Sequence, residues 1–176
     1  MEYIWDARSA GGRRMEYFRF YKGQVRTKQG NYSIDDILGF DDAALESVHT
    51  YVQWAFPNAA LSRAQPGAAS AVFTETAATA MMQDGEVRRK VDAMTRKMLK
   101  FWGIVWEFNT EGYAFIEDEG RFRSKLRDGD HNTLRLTRLL SFLRMVGRDE
   151  LVDGLRCVLL LNCPESHRSL RIWLAV

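Results

Sequence analysis

No apolar run in this sequence approaches the roughly 20 residues that a membrane helix needs, so no transmembrane segment is expected. Its opening, MEYIWDARSAGGRR, carries acids and no apolar stretch, which does not read as a secretory signal. There is no GxGxxG or Walker loop, no HExxH, no CxxC, and no serine in a GxSxG turn. The common nucleotide, zinc and hydrolase-elbow signatures are therefore missing. The three histidines, His49, His131 and His167, are too scattered to form a metal set by spacing. No catalytic residue, metal or cofactor is assigned. Cys157 and Cys163, the two cysteines, are six apart, which suits neither a zinc nor a redox pair. They read as reduced and structural, as in an intracellular protein of the cytoplasm or nucleus.

The charge is also uneven. The net value is only +2, too small to announce nucleic acid. From Gln29 to Ser62 there is no Lys or Arg, while Asp35, Asp36, Asp41, Asp42 and Glu46 are present. Arg121, Arg123, Lys125, Arg127, Arg135, Arg138, Arg144 and Arg148 crowd the later region. The simplest expectation is that the two stretches neutralise one another across the fold; the alternative is a basic surface for an acidic partner.

What is present is helical periodicity. The first 14 residues read as a flexible extension jointed at Gly11-Gly12, and residues 15–176 as one domain. Met15 to Tyr21 is an aromatic-rich short helix stopped near Gly23. Ser33 caps a second, with Asp36 in its first turn and Gly39 at its end. Asp41 or Asp42 starts a helix running to Phe56, with Leu45, Val48, Val52, Ala55 and Phe56 inward and Pro57 ending it. Residues 58–70 read as a long loop. Thr74 caps a helix to Met82, and Asp84 a long one whose stripe is Val87, Val91, Met94, Met98 and Phe101. Residues 104–117 alternate around a turn, as in a small β-hairpin. Glu119 to Arg127 is basic and at best amphipathic. Glu150 to Leu161 is a buried helix broken by Pro164, followed by an apolar tail that needs something to pack on. The fold class is all-α: an irregular single-domain bundle of about six or seven helices with at most that one hairpin.

The stretch from His131 to Gly147 organises the rest. Leu136, Leu139, Leu140, Leu143 and Val146 recur at three- and four-residue steps, as a buried helix face requires. Asp130 or Asn132 starts it, and Gly147 ends it. Beside that stripe, His131, Arg135 and Arg138 stand at i, i+4 and i+7. Such a row either caps carbonyls and pairs with acids, or faces an anion. His49 and Gln53, one turn apart on the earlier helix, form a comparable row flanked by Tyr51 and Trp54.

The segments LESVHTYVQWAFP (Leu45 to Pro57), MLKFWG (Met98 to Gly103) and HNTLRLTRLL (His131 to Leu140) resemble the conserved domain of the opioid growth factor receptor family. FYKG, YSIDDILGFDD and Ser62-Arg63 extend the resemblance, which runs from about Phe20 to Leu161. Thr50 stands where the family often has Asp, and Trp102 where it more often has Tyr. The resemblance implies a mostly helical domain. In animals the family receptor binds the enkephalin peptide, associates with the nucleus and restrains growth; the repeats that follow its domain do not occur in this sequence.

Three functional expectations follow. The first is a non-enzymatic binding module with a groove between the two motif helices. His49, Tyr51, Gln53, Trp54, His131, Asn132, Arg135 and Arg138 are its ligand-binding candidates. The ligand would be a peptide or small anion, or another protein, with Tyr51 and Trp54 as apolar walls and Arg135 and Arg138 as donors, because a guanidinium meets an oxyanion with two parallel bonds. The second is a nucleic-acid-associated protein using the basic 121–148 region. The third is an unrecognised enzyme in which His49, His131 and a carboxylate converge.

Overall fold

Local capping chemistry sets most of the helix boundaries. The structure is a computed structural model in which residues 15–59, 72–107 and 113–176 are described. The expected extension, most of the 58–70 loop and the hairpin's turn lie outside the described residues. Among the described residues there are ten helices and one two-stranded antiparallel sheet, so the fold is all-α with a small hairpin. They divide into two compact units, residues 1–92 and 93–176, each described by itself.

In the first unit, α1 (Glu16–Tyr21) buries Tyr17, Phe20 and Tyr21, an i, i+3, i+4 face that must find apolar cover. It packs against α5 (Glu75–Gln83), whose Thr74 cap accepts from the Ala77 N–H at 3.3 Å. α2 (Ile34–Leu38) opens on a capping box. Ser33 accepts from the Asp36 N–H, and the Asp36 carboxylate accepts from the Ser33 N–H at 2.8 Å. That backbone bond holds the Asp36 carboxyl below its usual range. Asp84 caps the long helix that follows it, accepting from the Glu86 and Val87 N–H groups, each at 3.0 Å. The resulting α6 (Gly85–Phe101) buries the whole stripe Val87, Val91, Met94, Met98 and Phe101.

The helix expected from Asp41 to Phe56 is broken. Asp41 caps it, accepting from Ala44 at 2.8 Å, but α3 (Asp42–Ser47) stops there and α4 covers only Val52–Ala55. Val48 turns extended with ψ of 116° and is half-buried, not core. Two local causes favour the break. Val48, Thr50 and Val52 are β-branched and lose rotamer freedom in a helix, and the Ser47 hydroxyl donates back to the Ala43 carbonyl at 2.8 Å. One tertiary gain completes it: Tyr51 enters the core, its hydroxyl 3.3 Å from the Leu45 carbonyl.

The second unit begins within α6. Its turn is Gly103, at φ +77°, whose carbonyl accepts from both the Glu117 and Asp118 N–H groups (2.9 and 3.1 Å). β1 (Ile104–Trp106) then pairs with β2 (Ala114–Ile116) in the register Ile104–Ile116, Val105–Phe115 and Trp106–Ala114. Asp118 caps α7 (Glu119–Lys125), a regular helix burying Phe122. Asp130 caps α8 (His131–Met145), and Gly147, at φ +71°, follows its end. α9 (Asp149–Asn162) packs on β2 and α8. The apolar tail coils into α10 (Leu170–Ala175), which packs on α8 and α9 and buries Leu170 and Trp173. The Trp173 indole N–H donates to Thr137 Oγ1 at 2.9 Å, and Arg156 and Arg144 donate to the Leu174 and Val176 carbonyls. The helix count exceeds six or seven because one expected helix is two, the basic segment from Glu119 forms α7, and the tail forms α10.

The two glycines differ in a testable way. A Cβ at Gly103 would collide with the Asp118 carbonyl, whereas one at Gly147 meets nothing within 4 Å. Gly147→Ala should therefore cost only the left-handed strain of about 1–2 kcal/mol. Gly103→Ala should cost at least about 2 kcal/mol more, since backbone must move. Urea unfolding of both variants checks the order, and equal losses would contradict it.

Candidate functional site

In the first unit, the motif residues build an aromatic core and brace a loop. Trp54 meets Tyr17 edge-on at 5.8 Å and Phe20 at 5.3 Å; Tyr17 meets Phe73 at 5.8 Å. Tyr51 packs against Phe40 at 5.8 Å. Such pairs contribute about 0.5–1.5 kcal/mol each beyond burial. The Tyr21 hydroxyl donates to the Ala55 carbonyl at 2.6 Å, and burial pushes its ionisation far up. Tyr51 and Trp54 are thus wholly buried, while His49 is exposed on the α3–α4 loop. Buried Gln53 supports that loop. With its amide oriented by its neighbours, its nitrogen donates to the His49 and Thr50 carbonyls, each at 3.3 Å. Carbonyls freed by the helix break are satisfied in this way.

In the second unit, the start of α8 carries a buried polar network. Asn132 is fully buried, and its Oδ1 accepts from the Trp102 indole N–H at 3.2 Å and from Arg135 at 3.3 Å. Its own Nδ2 and backbone N–H both donate to Asp130 Oδ1, at 3.1 and 2.8 Å. His131 Nδ1 lies 3.3 Å from the same oxygen. Every polar atom of the Asn132 side chain is therefore used, as a buried amide requires. The network fixes Arg135, only 6% exposed, beside the leucine stripe. Arg138, a turn further along, is half-buried. His131, Asn132, Arg135 and Arg138 thus share one helix, whereas His49, Tyr51, Gln53 and Trp54 belong to the first unit.

A pocket that spacing did not suggest opens beyond α7. It holds about 220 Å³ and is floored by Phe122, Leu126, Cys163 and Pro164, with His167 in its wall. Arg123, Arg127 and Asp128 also line it. Asp128 lies 35 residues before Cys163, so only folding joins them; the sole local signal is the four-residue step from Cys163 to His167. Cysteine, histidine and aspartate together invite a nucleophile, but the hydrogen bonds argue otherwise. His167 Nε2 donates to the Leu126 carbonyl at 3.0 Å, and its Nδ1 accepts from the Ser169 N–H at 3.2 Å. Those partners assign the neutral Nε2–H tautomer and leave no nitrogen to take a thiol proton. Burial meanwhile pushes the Cys163 thiol up to about 11, so the thiolate is scarce at neutral pH.

The basic 121–148 stretch pairs with acids that flank it. Arg121 pairs with Asp118 (3.4 Å), Arg123 with Glu119 (2.9 Å), and Arg144 with Asp149 and Asp153 (both 2.8 Å). In the first unit, Asp35 pairs with Lys90 and Asp36 with Arg26 (3.1 and 2.9 Å). Much of the neutralisation expected across the fold is therefore local, because helix spacing and adjacent turns supply nearer partners. Among the described residues, no group of three or more His, Cys, Asp or Glu could hold a metal ion, and no helix is long and apolar enough to cross a membrane.

Comparison with known proteins gives a consistent result. The family described as the opioid growth factor receptor (OGFr) conserved region matches residues 11–161. The opioid growth factor receptor of Mus musculus is 31% identical over 137 residues, covering 73% of this chain and 20% of that protein. Opioid growth factor receptor-like protein 1 of Rattus norvegicus is 30% identical over 133 residues, covering 73% of this chain and 28% of that protein. The chain thus spans 20–28% of the length of these curated relatives. No solved structure matches the chain.

The two thiols should react very differently. Cys157 is exposed and Cys163 buried with a raised pKa. Iodoacetamide at neutral pH should modify Cys157 at least about tenfold faster, as read by peptide mass spectrometry. Faster labelling of Cys163 would show an activated thiol and overturn the assignment of His167.

Proposed function

This chain belongs to the opioid growth factor receptor conserved-region family, and we propose that it acts as a non-enzymatic binding module for a peptide bearing a free carboxylate or similar anion. The observation that carries this reading is the α8 row. Asn132 holds the Arg135 guanidinium in place, and Arg138 follows on the same helix with partial solvent access. A pre-positioned cation binds an anion without first giving up side-chain freedom, and a guanidinium fork suits a carboxylate. Relatives named as receptors for an opioid growth factor point the same way. His131 and Asn132 set the start of that row. In the first unit, Tyr51, Gln53 and Trp54 fix the loop that carries exposed His49, and no part of this site is assigned there. Protein partners would be recognised by the same groups.

The free cysteines, one of them exposed, suit a reducing compartment, and we place the protein inside the cell, in cytoplasm or nucleus. The basic 121–148 region receives no separate role, because acids beside it lower the charge that nucleic acid would meet.

Calorimetric titration with enkephalin as free acid and as C-terminal amide tests the reading. The acid should bind at least about tenfold more tightly, a difference near 1.4 kcal/mol. Arg138→Met should remove that preference. Arg135→Met should instead destabilise by roughly 3 kcal/mol, because it strips a buried network. No binding of the acid, or equal binding of acid and amide, would contradict the proposal.

A further inference from the structure

The pocket at the end of α7 has a chemistry separate from the α8 row. Most polar groups around it are already engaged. His167 uses both ring nitrogens, Asn162 Nδ2 donates to the Val158 carbonyl at 2.8 Å, and Asp128 accepts from the Arg168 backbone and guanidinium at 3.1 and 3.0 Å. Arg127 differs. Its side chain is 76% exposed, and the carboxylate oxygen it pairs with, on Asp130, is 4.0 Å away, beyond hydrogen-bond distance. A guanidinium with five unspent donors thus stands at the edge of a pocket floored by Phe122, Leu126, Cys163 and Pro164.

We propose that this pocket binds a small apolar monocarboxylate, with the apolar body on that floor and the carboxylate on Arg127. The size follows from the volume. About 220 Å³ accommodates an apolar body of about seven heavy atoms at the ~30 Å³ that a water occupies in the liquid, the size of octanoate's alkyl tail or of a phenylalanine side chain, with the carboxylate left outside the pocket at exposed Arg127. The charge follows from the rim. Arg127 favours an anion, and Asp128 in the same lining repels a second negative charge. Two sources share this chemistry, a medium-chain fatty acid and the carboxyl-terminal residue of a peptide.

The test titrates the full chain with octanoate and with N-acetylphenylalanine, each beside its primary amide, while the alkylation of Cys163 is followed. At least one acid should bind with a Kd near or below about 1 mM, its amide at least about tenfold more weakly. Occupancy should slow iodoacetamide at Cys163 severalfold and leave Cys157 unaffected. Arg127→Met, at an exposed side chain, should keep the circular dichroism spectrum and weaken the acid at least about tenfold. Arg138→Met should leave this binding unchanged, which separates the pocket from the α8 row. Tighter octanoate identifies a fatty acid as the source; tighter N-acetylphenylalanine identifies a peptide end. Failure of both acids to bind at about 10 mM, amides matching acids, or an unprotected Cys163 would each overturn the proposal.

Discussion

The second unit depends on one oxygen. Asn132 Oδ1 accepts from the Trp102 indole and the Arg135 guanidinium in a site with no solvent access to Asn132 or Trp102. The Trp102 indole cannot turn to water, so loss of the acceptor would leave it with a desolvation penalty of about 1–3 kcal/mol. The bond ties the end of α6 to the start of α8. On one side of it Gly103 redirects the chain into the hairpin and lends its carbonyl to the start of α7. On the other, Asp130 caps α8 and occupies both amide donors of Asn132. Further along, Thr137 of the same helix receives the Trp173 N–H that holds α10.

Elements whose determinants are local could be read from the sequence. Ser33 with Asp36, Thr74, Asp84, Gly103 and Gly147 each mark a boundary that the structure keeps, because a cap needs only a few neighbouring residues. The stripes Val87 to Phe101 and Leu136 to Val146 are buried for the same reason. What could not be read depends on side-chain contacts that periodicity does not encode. The α3–α4 break is completed by the Tyr51 hydroxyl reaching Leu45 and by Gln53 satisfying the freed carbonyls. Periodicity carries no sign of either bond. α10 exists because Trp173 finds Thr137, 36 residues away. The pocket is a similar case, since its residues come from two stretches far apart in sequence.

Many polar side chains are spent on the fold. Gln53, Asn132 and His167 have their hydrogen-bonding atoms engaged by the chain itself, and Cys163 is held as a thiol. Arg138 and Arg127 retain solvent access while their helices or turns fix where they stand.

A double-mutant cycle between Trp102 and Asn132 tests the dependence on that oxygen most directly. Trp102→Phe, Asn132→Ala and the double variant would be unfolded in urea. If the indole–amide bond holds the unit, the two losses should be non-additive by about 1–2 kcal/mol. Additivity to within about 0.3 kcal/mol would mean that the two side chains merely fill space, and the account of the second unit would fail.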